Sequence, residues 1–226
     1  NTLGRIWYEM TKGNTRLKEQ CCYLVRRPTE LFLAEDDEPA ETPAQEALSQ
    51  EELLRQPVHV PHRPIKDPRE IRLLDPACGS MHFGLYAFDL YETIYEEAWD
   101  IAQTGNIPEA AEPSFTDYCS LITDRYISRE AYLRDVPRLI IGHNIHGIDI
   151  DPRCAQMAGL SLWLRAQKTW QRLSLKPADR PSIRKSNIVC AEPMPGEKDL
   201  LQEFTRTLNP PLLGQIVERV WDTMQL

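Results

Sequence analysis

The chain has 226 residues, 42% of them hydrophobic, with 34 acidic against 26 basic side chains and a formal net charge of −8. This is enough for one domain with a sizeable core. The acidic balance argues against a general DNA-coating surface, and no apolar run approaches the ~20 residues of a membrane span. Six cysteines occur without a Cys-x-x-Cys pair or a His/Cys cluster. They predict reduced thiols in a cytoplasmic setting, with neither a disulfide framework nor a metal site.

In chain order, residues 1–33 read as a helical N-terminal block. It is basic through Arg5, Lys12, Arg16, Lys18, Arg26 and Arg27, which form either a solvated helix face or a phosphate contact. Residues 34–64 read as an acidic, Pro-rich linker: no Lys or Arg lies between Pro28 and Leu54, and Pro57 to Pro64 is extended. Residues 65–226 alternate strands and helices. Ile71, Leu73 and Leu74 form a short strand that runs into Asp75-Pro76-Ala77-Cys78-Gly79-Ser80-Met81-His82-Phe83. A long helix follows, with Phe83, Tyr86, Ala87, Leu90, Tyr91, Ile94, Tyr95, Ala98 and Trp99 on one stripe. After a polar segment, Thr104 to Thr116, more helix precedes a second strand that ends at Gly147-Ile148-Asp149-Ile150-Asp151-Pro152. Asp151 and Pro152 suit the N-cap and first position of a helix through Cys154, Met157, Leu160 and Leu164 toward Trp170. Ser182 to Ala191 reads as a third strand that ends in Glu192-Pro193.

A strand that ends in an acid, turns through small residues and enters a helix builds a ligand pocket, because small residues admit backbone to the ligand and the helix start offers free N–H groups. The Asp75-to-Phe83 run resembles the first cofactor motif of N6-adenine-specific DNA methyltransferases at every position but Met81, where that family has glycine. The resemblance is closest to the large restriction-modification and bacteriophage-exclusion enzymes. It implies S-adenosylmethionine as cofactor, with Asp75, Pro76, Ala77, Cys78, Gly79 and Ser80 around it. Asp149 fits the acid that accepts from ribose hydroxyls at the end of the second strand, or is a solvated strand end. Ile150 would lie against the adenine face. Glu192 takes the place of the family residue that accepts from the adenine amine, or is a surface-loop glutamate. Cys78 reads as a small packing residue, His82 as a residue that orders the turn, and Met81 as one that weakens cofactor binding without abolishing it.

The acidic partner usually follows the glycine turn by ~20 residues; here the longer excursion reads as a helical insertion over about 104–140. The family's target-base motif, Asn/Asp-Pro-Pro-aromatic after an apolar strand, has no complete copy. Asn209, Pro210 and Pro211 are followed by Leu212 and preceded by the helical run Leu200 to Leu208, which suits a helix stop and restart before Leu213 to Met224. The absence of an initiator Met and a mid-helix end suggest a piece of a larger protein.

The fold expected is therefore α/β: a partial Rossmann-like, S-adenosylmethionine-dependent methyltransferase core with a helical N-terminal block and a helical insertion. The function implied is the cofactor-binding part of an adenine-specific DNA methyltransferase, inactive alone. Its partners would be DNA, met through the full-length protein, and other subunits of a defence system, without a membrane. Two alternatives stand beside it. A nucleotide-linked oxidoreductase shares the glycine turn and the acidic second strand but lacks a full Gly-x-Gly-x-x-Gly. A non-catalytic interaction module of a phage-defence complex would bind no adenine-containing ligand.

Overall fold

The computed structural model describes residues 2–34, 37, 55–108, 111–191 and 198–224. Most of the acidic stretch, and Glu192 with it, lies outside the described residues. The chain divides into two compact units, Asn1–Val189 and Cys190–Leu226. The N-terminal block falls within the first of these units.

In the first unit, strands β1 (Glu30–Phe32) and β2 (Val58–Val60) pair in parallel as a small sheet. Strands β3 (Leu73–Asp75), β4 (Ile145–Asp149) and β5 (Asn187–Cys190) form a second sheet in that order, with β3 and β4 parallel. Helices α1 (Thr2–Met10) and α2 (Leu17–Gln20) precede β1, and α3 (His82–Thr104) follows β3. Helices α4 (Pro113–Arg125) and α5 (Arg129–Leu139) fill the excursion, and α6 (Pro152–Arg172) follows β4. Parallel strands joined through helices are compatible with the α/β class. Among the described residues, no helix is long and apolar enough to cross a membrane.

Helix α3 is the centre of the core. Ala87, Phe88, Leu90, Tyr91, Ile94, Tyr95, Ala98 and Trp99 are buried, each large side chain contributing roughly 1.5–3 kcal/mol. Its polar atoms fix the strands. The Tyr91 hydroxyl donates to Ile71 O at 2.7 Å, and the Tyr95 hydroxyl donates to Asn144 Oδ1 at 2.8 Å. The fully buried Asn144 in turn donates from Nδ2 to Pro68 O at 2.7 Å and to Ile71 O at 2.8 Å. One amide thus ties the entry to β3 to the entry to β4 across the whole excursion. The N-terminal block is anchored on the same helix, because Glu97 accepts from Trp7 Nε1 and from Arg16 N, both at 2.6 Å.

One expected helix face is corrected. Phe83 and Tyr86 lie on the exposed side of α3. On α6, Met157, Leu160 and Leu164 are each more than half exposed, while Ala158, Leu162, Ala166, Thr169 and Trp170 are buried. An ion-pair brace joins α6 to α3: Glu92 of α3 accepts from Arg165 at 2.9 Å, Arg172 at 2.9 Å and Thr169 at 2.6 Å. Asp89 also pairs with Arg165. The third strand is shorter than Ser182 to Ala191, since Arg184 and Lys185 precede its apolar part.

In the second unit, α7 (Lys198–Thr207) and α8 (Pro211–Met224) pack on each other. A Cβ on Gly214 would come within 2.9 Å of Thr205 O, so glycine permits the close crossing.

Candidate cofactor site

The register pairs Leu73 with Ile145, Leu74 with His146 and Asp75 with Gly147. Asp149 therefore stands two residues past the partner of Asp75, at the same edge of the sheet. Both strands release their chains there into helix starts, α3 after the turn and α6 at Pro152. In open parallel sheets this edge is where ligands bind.

The turn is held down by the neighbouring strand. Cys78 N donates to Ile148 O at 2.9 Å, and Gly79 N donates to Asp149 Oδ2 at 2.8 Å. Asp149 Oδ1 accepts from Asp151 N at 2.9 Å, and Asp75 Oδ1 accepts from Ala77 N at 3.3 Å. A carboxylate has about four acceptor positions, so two remain at Asp149 after it has clasped the turn. Asp75, Gly79, Ser80 and Asp149 are half-buried, while Pro76, Ala77 and Ile150 are exposed. The result is an open, acid-lined cradle. Gly79 has φ +51°, and nothing lies within 4 Å of the position a Cβ would take. Glycine is used here for its left-handed conformation, and it leaves bare backbone beneath the open space.

Cys78 packs inward. A Cβ on Gly147 would meet Cys78 Sγ at 3.0 Å and Ile188 Cδ1 at 2.9 Å, so the cysteine fills the notch that the strand glycine leaves. Burial pushes its thiol pKa up, and Asp149 and Asp75 push it further, the opposite of what a nucleophile needs. Asp151 caps α6 by accepting from Arg153 N at 2.8 Å, and the Arg153 guanidinium holds its carboxyl below the ordinary range.

Met81 stands at the entry to α3. Its backbone is left-handed (φ 71°, ψ 33°), and its side chain is fully buried. A Cβ on Gly84 would come within 2.6 Å of Met81 Cγ. The thioether therefore lies over Gly84 in the core and does not fill the cradle. A glycine at this position is suited first to the positive φ.

Of the other expected residues, Glu192 lies outside the described residues. Asn209, Pro210 and Pro211 join α7 to α8 and follow a helix, not a strand. Among the described residues, no group of three or more His, Cys, Asp or Glu side chains is placed to hold a metal ion. A cavity of about 330 Å³ between α3 and α6 is lined by Glu92, Arg165 and Arg172; Glu92 pairs with both arginines, which makes it a brace. Sequence reasoning missed Asn144 and this brace, because both join residues more than 70 positions apart.

No family model matches the chain. Over 107 residues, 47% of its length, it is 31% identical to the adenine-specific methyltransferase BrxX of Escherichia coli O9:H4 (strain HS). The chain spans about 6% of that protein's length. It is thus related, over nearly half its residues, to a methyltransferase.

Proposed function

We propose that this chain is the S-adenosylmethionine-binding part of an adenine-specific DNA methyltransferase, built on a Rossmann-like core. The observation that carries the reading is the clasp between neighbouring strand tips, in which Gly79 N donates to Asp149 while Asp75 ends the adjacent strand. The similarity to an enzyme named as an adenine-specific methyltransferase supports it.

The cradle suits this cofactor chemically. Free acceptor positions on Asp149 match a pair of ribose hydroxyls, and Ile150, exposed beside it, offers an apolar face for a purine ring. Asp75 matches the ammonium of an amino-acid tail, and the bare backbone of Ala77, Gly79 and Ser80 lets that tail approach. Glu192 remains the proposed acceptor for the adenine amine. When bound, the sulfonium supplies an already activated methyl group, so the chain's own work is to bind and orient. DNA and other subunits of a defence system are the proposed partners of the whole protein. The chain alone is not expected to transfer a methyl group, since its Asn209-Pro210-Pro211 lacks both the preceding strand and the aromatic residue that would stack on a target base.

Parallel calorimetric titrations with S-adenosylmethionine and NAD test the reading. Saturable binding of the first and none of the second is expected. Tighter binding of NAD would favour the oxidoreductase alternative, and binding of neither would favour an interaction module.

A further inference from the structure

The start of α3 carries aromatic side chains that the core does not use. Phe83 is 80% exposed, and Tyr86, one turn further, is 36% exposed. The segment after α2 runs alongside them. The Tyr86 hydroxyl donates to Cys21 Sγ at 3.4 Å. The Tyr23 ring, itself 66% exposed, meets Tyr86 edge to face with centroids 5.7 Å apart. Arg26 and Arg27 follow in the same segment and are exposed. Arg5 nearby is taken up by Glu9 and Glu30, whereas among the described residues no ion pair involves Arg26 or Arg27.

The N-terminal segment is basic in sequence where the whole chain is acidic. Along the sequence, residues 1–27 hold six Lys or Arg against Glu9 and Glu19, in a protein of net charge −8; Arg5 and Arg16 are paired with carboxylates, which leaves Arg26 and Arg27 as the exposed guanidinium groups of this segment. Scattered exposed apolar residues are ordinary. Neighbouring aromatic rings, followed in the same segment by exposed guanidinium groups, match the chemistry of a nucleic-acid strand: rings stack on base faces and cations meet phosphates. Paired bases hide their faces, so the fit is to unpaired nucleotides. Phe83 is only four residues past Gly79, which puts this surface next to the candidate cofactor turn.

We propose that Tyr23, Phe83 and Tyr86, together with Arg26 and Arg27, form a docking surface for unpaired DNA nucleotides beside the cofactor site. The inference rests on the methyltransferase reading for its choice of DNA as the polymer. The surface gives the splayed strand a place to stack while a neighbouring base is presented to the methyl donor. The acidic remainder of the chain repels the backbone elsewhere and so favours this entry.

The test is fluorescence anisotropy of the full chain with a labelled single-stranded oligodeoxynucleotide of mixed sequence, across a salt series, with an abasic strand of equal length beside it. Saturable binding is expected at low salt, and weaker binding of the abasic strand. Tyr23→Ala should weaken binding roughly 5- to 100-fold, while Tyr23→Phe should restore it. The double substitution Arg26→Ala, Arg27→Ala should reduce the magnitude of the logarithmic salt slope by about 1.4, or ~0.7 per phosphate contact. All of these positions are exposed, and a thermal melt of each variant verifies its fold. The proposal is overturned by no binding to the unaltered chain, by variants that bind as it does, or by an abasic strand that binds equally well. S-Adenosylmethionine titration of the same samples separates the two claims. A chain that binds the cofactor but no DNA loses only the docking surface; one that binds DNA through these residues but no cofactor keeps the surface and loses the methyltransferase reading.

Discussion

Met81 and Gly84 form a pair whose energetics follow from their contact. Left-handed backbone at a residue with a Cβ costs about 1–2 kcal/mol, and Met81 bears that strain at φ 71°. Its buried side chain returns more, because truncating a core methionine to alanine costs about 2–5 kcal/mol. Met81→Gly relieves the strain and loses the packing, for a net destabilisation of about 1–3 kcal/mol. Met81→Ala loses the packing but keeps the strain, so it should be less stable than the glycine variant by about 1 kcal/mol. Gly84→Ala gains about 1 kcal/mol of helix propensity, yet its methyl would lie 2.5 Å from Met81 Cε and 2.6 Å from Cγ. The double variant Met81→Ala, Gly84→Ala puts that methyl into vacated space and should cost less than the sum of the singles, with a coupling of about 0.5–3 kcal/mol. Thermal unfolding followed by circular dichroism reads each difference, at roughly 2–4 °C per kcal/mol for a chain of this size. Cofactor affinity should be unchanged in Met81→Gly. A rise in melting temperature for that variant, or strictly additive effects in the double, would refute the packing argument.

Further predictions concern the brace and the excursion. Glu92→Ala leaves Arg165 without its buried partner and should destabilise the chain by about 2–3 kcal/mol, less than a wholly buried pair because Arg172 is largely exposed; urea unfolding measures it. At Asp135, burial raises the pKa, but Arg138 and Tyr126 outweigh it and hold the carboxyl below its ordinary value. A carboxyl depressed in the folded state contributes stability that is full above its unfolded pKa of about 3.9 and is lost as pH falls through the folded value. Asp135→Asn should therefore melt lower than the unaltered chain at neutral pH, and the gap should narrow as pH falls below about 4. A gap that stays constant from pH 7 to pH 3 would show that the ion pair is not its source.

The turn was legible because its chemistry is local. An acid at a strand end, a glycine with positive φ and Asp-Pro at a helix start each constrain backbone within a few residues, and Asp75, Gly79, Asp149 and Asp151 take up such geometry. The long excursion did not prevent Asp75 and Asp149 from meeting at one sheet edge, since α4 and α5 occupy it as helices. Helix faces were less legible. Helices α3 and α6 are apolar over more than one stripe, and the buried side of α6 uses Ala158 and Ala166, which a search for large apolar residues overlooks. Asn144 and Glu92 gave no local signal at all, because their partners are distant in sequence. The place of the Met81 side chain was not legible, because a glycine can be needed for its φ or for its lack of a side chain, and sequence does not separate the two.

The central claim is that two carboxylates at adjacent strand tips grip one sulfonium nucleoside. Calorimetric titration of S-adenosylhomocysteine, which keeps the ribose and the amino-acid tail, into the unaltered chain, Asp149→Ala and Asp75→Ala tests it most directly. Saturable binding to the unaltered chain, weakened at least about tenfold in each variant, corresponds to the loss of about 1.4 kcal/mol of recognition and is the result predicted. Equal affinity in all three folded proteins, or no binding to the unaltered chain, would contradict it.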